Sequence, residues 1–112
     1  MRQQAISQYK AKNYTVAAQL LQQQIKTDPS DASNYDILGN VDRDNGHTSL
    51  AISDYKQAIA TSKTLLPAYL NLANVYLNEG DKTDASTLVT QALVVFPKNT
   101  QLLALQTQSS TN

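Results

Sequence analysis

YDILGNVDRDNG, residues 35–46, and YLNLANVYLNEG, residues 69–80, are one segment written twice, 34 residues apart. Tyr35, Leu38, Asn40, Val41 and Gly46 return as Tyr69, Leu72, Asn74, Val75 and Gly80, and Gly39 is matched by Ala73. The register continues downstream: Ala51 aligns with Ala85, Gln57 with Gln91, Ala58 with Ala92, and Ile59 with Leu93. Stepping back by the same interval sets Ala5 on Gly39, Ala17 on Ala51, Leu21 on Tyr55 and Ile25 on Ile59, a shorter first copy. A unit of this length cannot bury its apolar face alone, so the chain reads as a stack in which each copy covers the next.

Each copy reads as two helices. Tyr35, Leu38, Gly39 and Asp42 fall at i, i+3, i+4 and i+7, and Ala51, Ile52, Tyr55, Ala58 and Ile59 repeat that spacing after Gly46. Gly46 and Gly80 stand where a helix ends in the left-handed conformation that glycine tolerates. The following position reads Asn13, His47 and Asp81, with Asn and Asp suited to cap the next helix, and Asp81 with Asp84 resembles a capping box. Pro67 falls in a first helical turn, where proline is tolerated. The spacing predicts helices over 2–12, 14–27, 31–45, 48–62, 66–79, 82–96 and 99–108. Gly39, Ala73, Ala51, Ala85, Ala58 and Ala92 supply small side chains where helices must approach closely. Leu102, Leu103 and Leu105 are expected to cover the last apolar face, with Gln106, Gln108 and the Ser109–Asn112 tail toward water.

Composition narrows the chemistry. The chain has 112 residues, and its 9 basic and 9 acidic side chains balance, which leaves no basic surface for nucleic acid. Without cysteine there are no disulfides or thiolate ligands, and one histidine, His47, cannot form a histidine cluster. No apolar run approaches the roughly 18 residues of a membrane span. A dozen glutamines against one glutamate, Glu79, make the surface neutral and polar, which favours association between copies. The Asp42-Arg43-Asp44-Asn45-Gly46 run fails as a calcium loop: its glycine is fifth rather than sixth, and Ser53 stands where a bidentate glutamate is needed. Usual nucleophile–base pairs cannot be built. The chain therefore reads as noncatalytic, with no cofactor and no metal. Its opening residues Met1-Arg2-Gln3-Gln4 show no targeting h-region. That reads as cytoplasmic if Met1 is native, and as cell envelope or periplasm if the chain is a fragment.

The period, with Tyr35, Leu38, Gly39, Gly46, Ala51, Tyr55 and Ala58 and then Tyr69, Leu72, Ala73, Tyr76, Gly80, Ala85, Ala92 and Pro97, resembles the tetratricopeptide repeat family. The resemblance implies an all-α, right-handed superhelical stack: a single domain over 1–112 with repeats at about 1–31, 32–65 and 66–99 and a capping helix near 99–108. Departures are Asp42, where an aromatic is common, and Gln24, where alanine is common. The first copy lacks its opening residues, which suggests an excised fragment or a missing preceding repeat.

In that family the first helices of successive pairs line a concave groove that holds a peptide or extended segment. Carried onto this chain, the groove is formed by Arg2, Ile6, Tyr9 and Lys10, then Asp36, Asn40, Arg43 and Asp44, then Leu70, Asn74, Leu77 and Asn78. Asn40 and Asn74 share one repeat position, and an amide can both donate to and accept from a peptide backbone. One subclass clamps a terminal carboxylate with basic and amide side chains. Here Arg2 could fill one clamp position, but Ile6, Ile37, Pro67 and Asn71 stand at the others, so that ligand is not expected. The expected partner is a segment of another protein, bound in a scaffold or assembly role. The alternative is a structural protein that self-associates as a homo-oligomer through the exposed end of the stack.

Overall fold

The interval in the sequence becomes a repeated turn in space. A computed structural model describes residues 2–110, and Met1, Thr111 and Asn112 lie outside the described residues. The helices are α1 Arg2–Lys10, α2 Tyr14–Thr27, α3 Ala32–Asp44, α4 Thr48–Thr61, α5 Leu66–Asn78, α6 Lys82–Val95 and α7 Thr100–Ser110. All the described regular structure is helical. Each helix packs on the next in chain order, and α5 also touches α3 and α7, so the odd-numbered helices are neighbours. The result is an elongated stack, 39 × 25 × 19 Å. α7 begins 34 residues after α5, at the place of the first helix of a further unit.

The turn inside each pair is built the same way three times. His47, Asp81 and Asn13 each donate a backbone N–H five residues back, to Asp42, Tyr76 and Gln8 respectively, all at 2.8 Å. This bond closes the helix end only if the preceding residue is left-handed. Gly46 and Gly80 meet that demand with φ of 82° and 78°. In the first copy the same position is Lys12, forced to φ 66°. The capping expectations divide. Asp81 accepts from the Asp84 N–H at 3.0 Å as expected, and a cap not read from the sequence is Asp31, which accepts from the Ser33 N–H at 3.1 Å at the start of α3. Asn13 and His47 make no side-chain cap. The Asn13 amide donates to Gln8 Oε1 instead, at 2.8 Å, because the reversed chain brings the end of α1 within its reach.

The interior holds two apolar clusters. Ala5, Ala17, Leu21, Leu38 and Val41 join α1, α2 and α3. The larger cluster runs from Ala51 and Tyr55 through Tyr69, Leu72, Ala73 and Val89 to Leu102 and Leu105 on α7. The last helix therefore covers the end face as expected. Two details of that expectation fail: Leu103 is 41% exposed, because it lies off the inward stripe of α7 formed by Leu102, Leu105 and Ser109, and Ser109 is buried on that stripe, its hydroxyl donating to the Gln106 carbonyl at 3.1 Å.

At the middle of the stack Tyr55 is fully buried against Gly39. A Cβ on Gly39 would meet the Tyr55 ring at 2.5 Å. The equivalent pairs are Ala5 with Leu21 and Ala73 with Val89, each within one apolar cluster. Volume is thus exchanged across the helix pair: the largest second-helix residue faces the residue with no side chain.

Two predictions follow from these contacts. Lys12→Gly should stabilise the fold by up to about 1 kcal/mol, and Gly46→Ala or Gly80→Ala should cost about 1 kcal/mol, since left-handed backbone penalises a Cβ; urea melts would measure both signs. Gly39→Ala should cost roughly 1–3 kcal/mol by overpacking. Combined with Tyr55→Val it should cost less than the sum of the two single changes by at least about 0.5 kcal/mol, measured as a double-mutant cycle.

Candidate functional site

The odd-numbered helices carry all twelve groove positions, and hydrogen bonds tie several of them across helix boundaries. From α1, the Tyr9 hydroxyl donates to Asp44 Oδ2 at the end of α3. Arg43 Nε donates to Asp44 Oδ1 at 3.0 Å, and its Nη1 donates to the Tyr55 hydroxyl at 3.2 Å. Tyr55 in turn donates to Asn40 Oδ1 at 2.5 Å. One continuous chain thus links Tyr9, Asp44, Arg43, Tyr55 and Asn40. Nearer α5, Asp36 is buried and accepts from Asn71 Nδ2 at 3.0 Å. Arg2 donates to Asp31 at 2.9 Å and to Asn34 Oδ1 at 3.3 Å.

The remaining positions are not linked in this way. Ile6 is half-buried, and Lys10, Asn74 and Asn78 are exposed. Leu70 and Leu77 are half-buried and lean on the larger apolar cluster, which accounts for their presence on a solvent-facing helix. Asn40 and Asn74 share a repeat position but not a state. Asn40 is held by Tyr55, whereas α6 offers Val89 at the corresponding place and no hydroxyl for Asn74.

Two contributors were not among the groove positions read from sequence. Asn71 holds Asp36, and Tyr55, read as core, sends its hydroxyl through to the groove side. The usable signal is a tyrosine where the other copies have Leu21 and Val89: a buried phenol needs a partner. Electrostatics follow the bonding. Burial works to raise the Asp44 pKa, but the bonds from Arg43 and Tyr9 and the charge of Arg43 outweigh it and hold the carboxyl below its usual range. For Asp36 burial wins and the carboxyl is pushed up, against the Asn71 bond and the Arg43 charge. Among the described residues no three His, Asp or Glu side chains are grouped to hold a metal ion. No helix among them is long and apolar enough to cross a membrane.

Residues 43–109 match the family model for the tetratricopeptide repeat. The chain belongs to that family. It matches no curated protein. Among solved structures it is similar to the second tetratricopeptide repeat domain of human RPAP3, in complex with the HSP70 peptide SGPTIEEVD, with TM-score 0.83 and 16% identity over 98% of this chain and 92% of that one. It is similar to the TPR2B domain of yeast Sti1 in complex with an HSP70 peptide, with TM-score 0.83 and 18% identity over 97% and 92%. It is also similar to the Yersinia enterocolitica type III secretion chaperone SycD in complex with a peptide of the translocator YopD, with TM-score 0.80 and 21% identity over 97% and 83%.

Within this tetratricopeptide repeat stack the middle unit differs in one paired respect. The third unit has Tyr76 and Leu88, and the positions 34 residues earlier are Asp42 and Asp54. Asp42 is buried, and Asp54 Oδ2 is buried with no partner that an ionised carboxylate could use. Burial, then the hydrogen bond to Asp42 and its charge, push Asp54 up to about 8. A proton on Asp54 supplies the missing donor. The folded state holds that proton more tightly than the unfolded chain, whose aspartates titrate near 4. The stabilisation is therefore complete below about pH 4 and is lost as pH rises through about 8. Asp54→Asn should keep a donor toward Asp42 without the proton. Its melting temperature should match the parent's at pH 4 and exceed it at pH 9, measured by circular dichroism across that range.

Proposed function

We propose that this chain is a noncatalytic protein-interaction module. Its three repeats, about 1–31, 32–65 and 66–99, act with the last helix as one unit. They hold an extended segment of another protein along the concave side formed by α1, α3 and α5. The observation that carries this reading is the bonded row from Tyr9 to Asn40. It fixes polar side chains of three helices in one arrangement, so a ligand meets groups already ordered, and little conformational entropy is lost on binding. Domains of this family generally act as noncatalytic interaction modules. The RPAP3, Sti1 and SycD structures each contain a peptide of another protein, which supports a segment as the ligand here.

Asn40 keeps its amide N–H groups for a ligand, because its oxygen is the atom Tyr55 holds. Asn74 presents a whole amide one repeat further along. Together they could pair with the backbone of an extended chain irrespective of its sequence.

Affinity capture from native extract, parent beside Asn40→Ala/Asn74→Ala, tests the reading. A partner held by the parent should be lost from the double variant; because Asn40→Ala also strips the buried Tyr55 hydroxyl of its acceptor, at a cost of about 1–3 kcal/mol, the exposed Asn74→Ala alone should weaken capture without that loss of stability. Retention of the same partner by both would move binding off this face. Recovery of nothing but further copies of this chain would favour self-association instead.

A further inference from the structure

Both arginines on the groove face are already engaged by carboxylates of this chain. Arg2 is paired with Asp31 at 2.9 Å and Arg43 with Asp44 at 3.0 Å. Asp44 does more than neutralise its neighbour. One of its oxygens takes the Arg43 guanidinium of α3 and the other takes the Tyr9 hydroxyl of α1, so a single carboxylate bridges two walls of the groove. A guanidinium and a phenol converging on two carboxylate oxygens are the donor set that a ligand's carboxylate would seek at this place. About a third of each side chain of the Arg43–Asp44 pair remains exposed (34% and 35%), so the pair faces whatever enters. A second carboxyl, Asp36, stands eight residues earlier on the same helix. Beyond it the α5 wall carries no charge and offers Leu70, Asn74, Leu77 and Asn78. Lys10 is exposed at the end of α1.

We propose that Asp44 is an internal carboxylate that fills the cationic centre of the groove. By doing so it selects against acidic segments and in favour of an uncharged segment whose apolar side chain lies beside Leu70 and Leu77. This rests on the groove reading above. An arriving carboxylate would have to displace Asp44 from both donors and then sit beside its charge. A neutral segment leaves the bonded row intact and needs only the amides and the two leucines.

Fluorescence anisotropy with two labelled peptides tests the proposal. One is SGPTIEEVD, the peptide in the RPAP3 complex, and the other is its neutral form SGPTIQQVN with an amidated end. The parent should bind the neutral peptide at least as tightly as the acidic one. Asp44→Ala should bind the acidic peptide at least about tenfold more tightly than the parent does, the worth of one freed charge-assisted contact, and so shift the preference between the two peptides toward the acidic one. Asp44→Asn should move the same way by less. Asp28→Asn removes the same charge at an exposed turn and should gain nothing. A parent that prefers the acidic peptide, or an Asp44→Ala variant that folds as the parent does and gains nothing, overturns the role of Asp44. Amide chemical-shift changes separate that failure from failure of the groove. Changes confined to α2, α4 and α6 would sink the groove reading, whatever the affinities.

Discussion

The contact between the Tyr55 ring and the Gly39 backbone holds the core and the groove together. With no side chain on Gly39, a full phenol fits between α3 and α4, and its length carries the hydroxyl past the apolar layer to the other side of α3. There the hydroxyl accepts from Arg43 and donates to Asn40, and through Arg43 the order extends to Asp44 and to Tyr9 on α1. A smaller residue at 55 would still fill core, as Leu21 and Val89 do in the neighbouring units, but it would leave the groove side chains without an anchor. The buried phenol is strongly disfavoured from ionising, first by burial and then by the surrounding Asp36, Asp44 and Tyr9, against the opposing charge of Arg43. It therefore remains a donor throughout the ordinary pH range.

The helix that receives this contact is also the most polar one inside the stack. Asn34, Asp36 and Asp42, three of the four buried polar residues among those described, lie on α3. Each has a partner on a different helix: Arg2 on α1, Asn71 on α5 and Asp54 on α4. Buried polar groups that must find partners tolerate fewer arrangements than apolar ones, so these contacts fix how the middle unit sits between its neighbours. They add less to stability than an apolar seam would. Asn34 Nδ2 remains unpaired, and the acid pair occupies the place of the third unit's Tyr76 and Leu88.

Much of the architecture was legible because it depends on local chemistry repeated at a fixed interval. The small residues at 39, 51, 58, 73, 85 and 92 and the glycines at 46 and 80 foretold helix pairs, and the helix ends fall within about two residues of expectation. The groove was legible only in part. Positions on the odd-numbered helices follow from the period, but their states do not. Asn40 and Asn74 look equivalent in sequence and differ in the structure, because the difference originates at residues 55 and 89 on other helices. Capping was misread at Asn13 for a related reason: its amide meets Gln8 across a turn whose left-handed residue, Lys12, carries no glycine signal.

By itself the sequence determined the succession of helices, the turns at Gly46 and Gly80, the covering role of Leu102 and Leu105 and the stacked order, since each depends on residues within one unit or its neighbour. Tertiary structure alone decided which polar groups are spent inside the molecule. Tyr9 and Asp44 are 35 residues apart, as are Asp36 and Asn71, and only when the first helices lie side by side do these donors and acceptors come within bonding distance. A hydrogen bond requires both distance and direction, and a linear pattern of residue types carries neither.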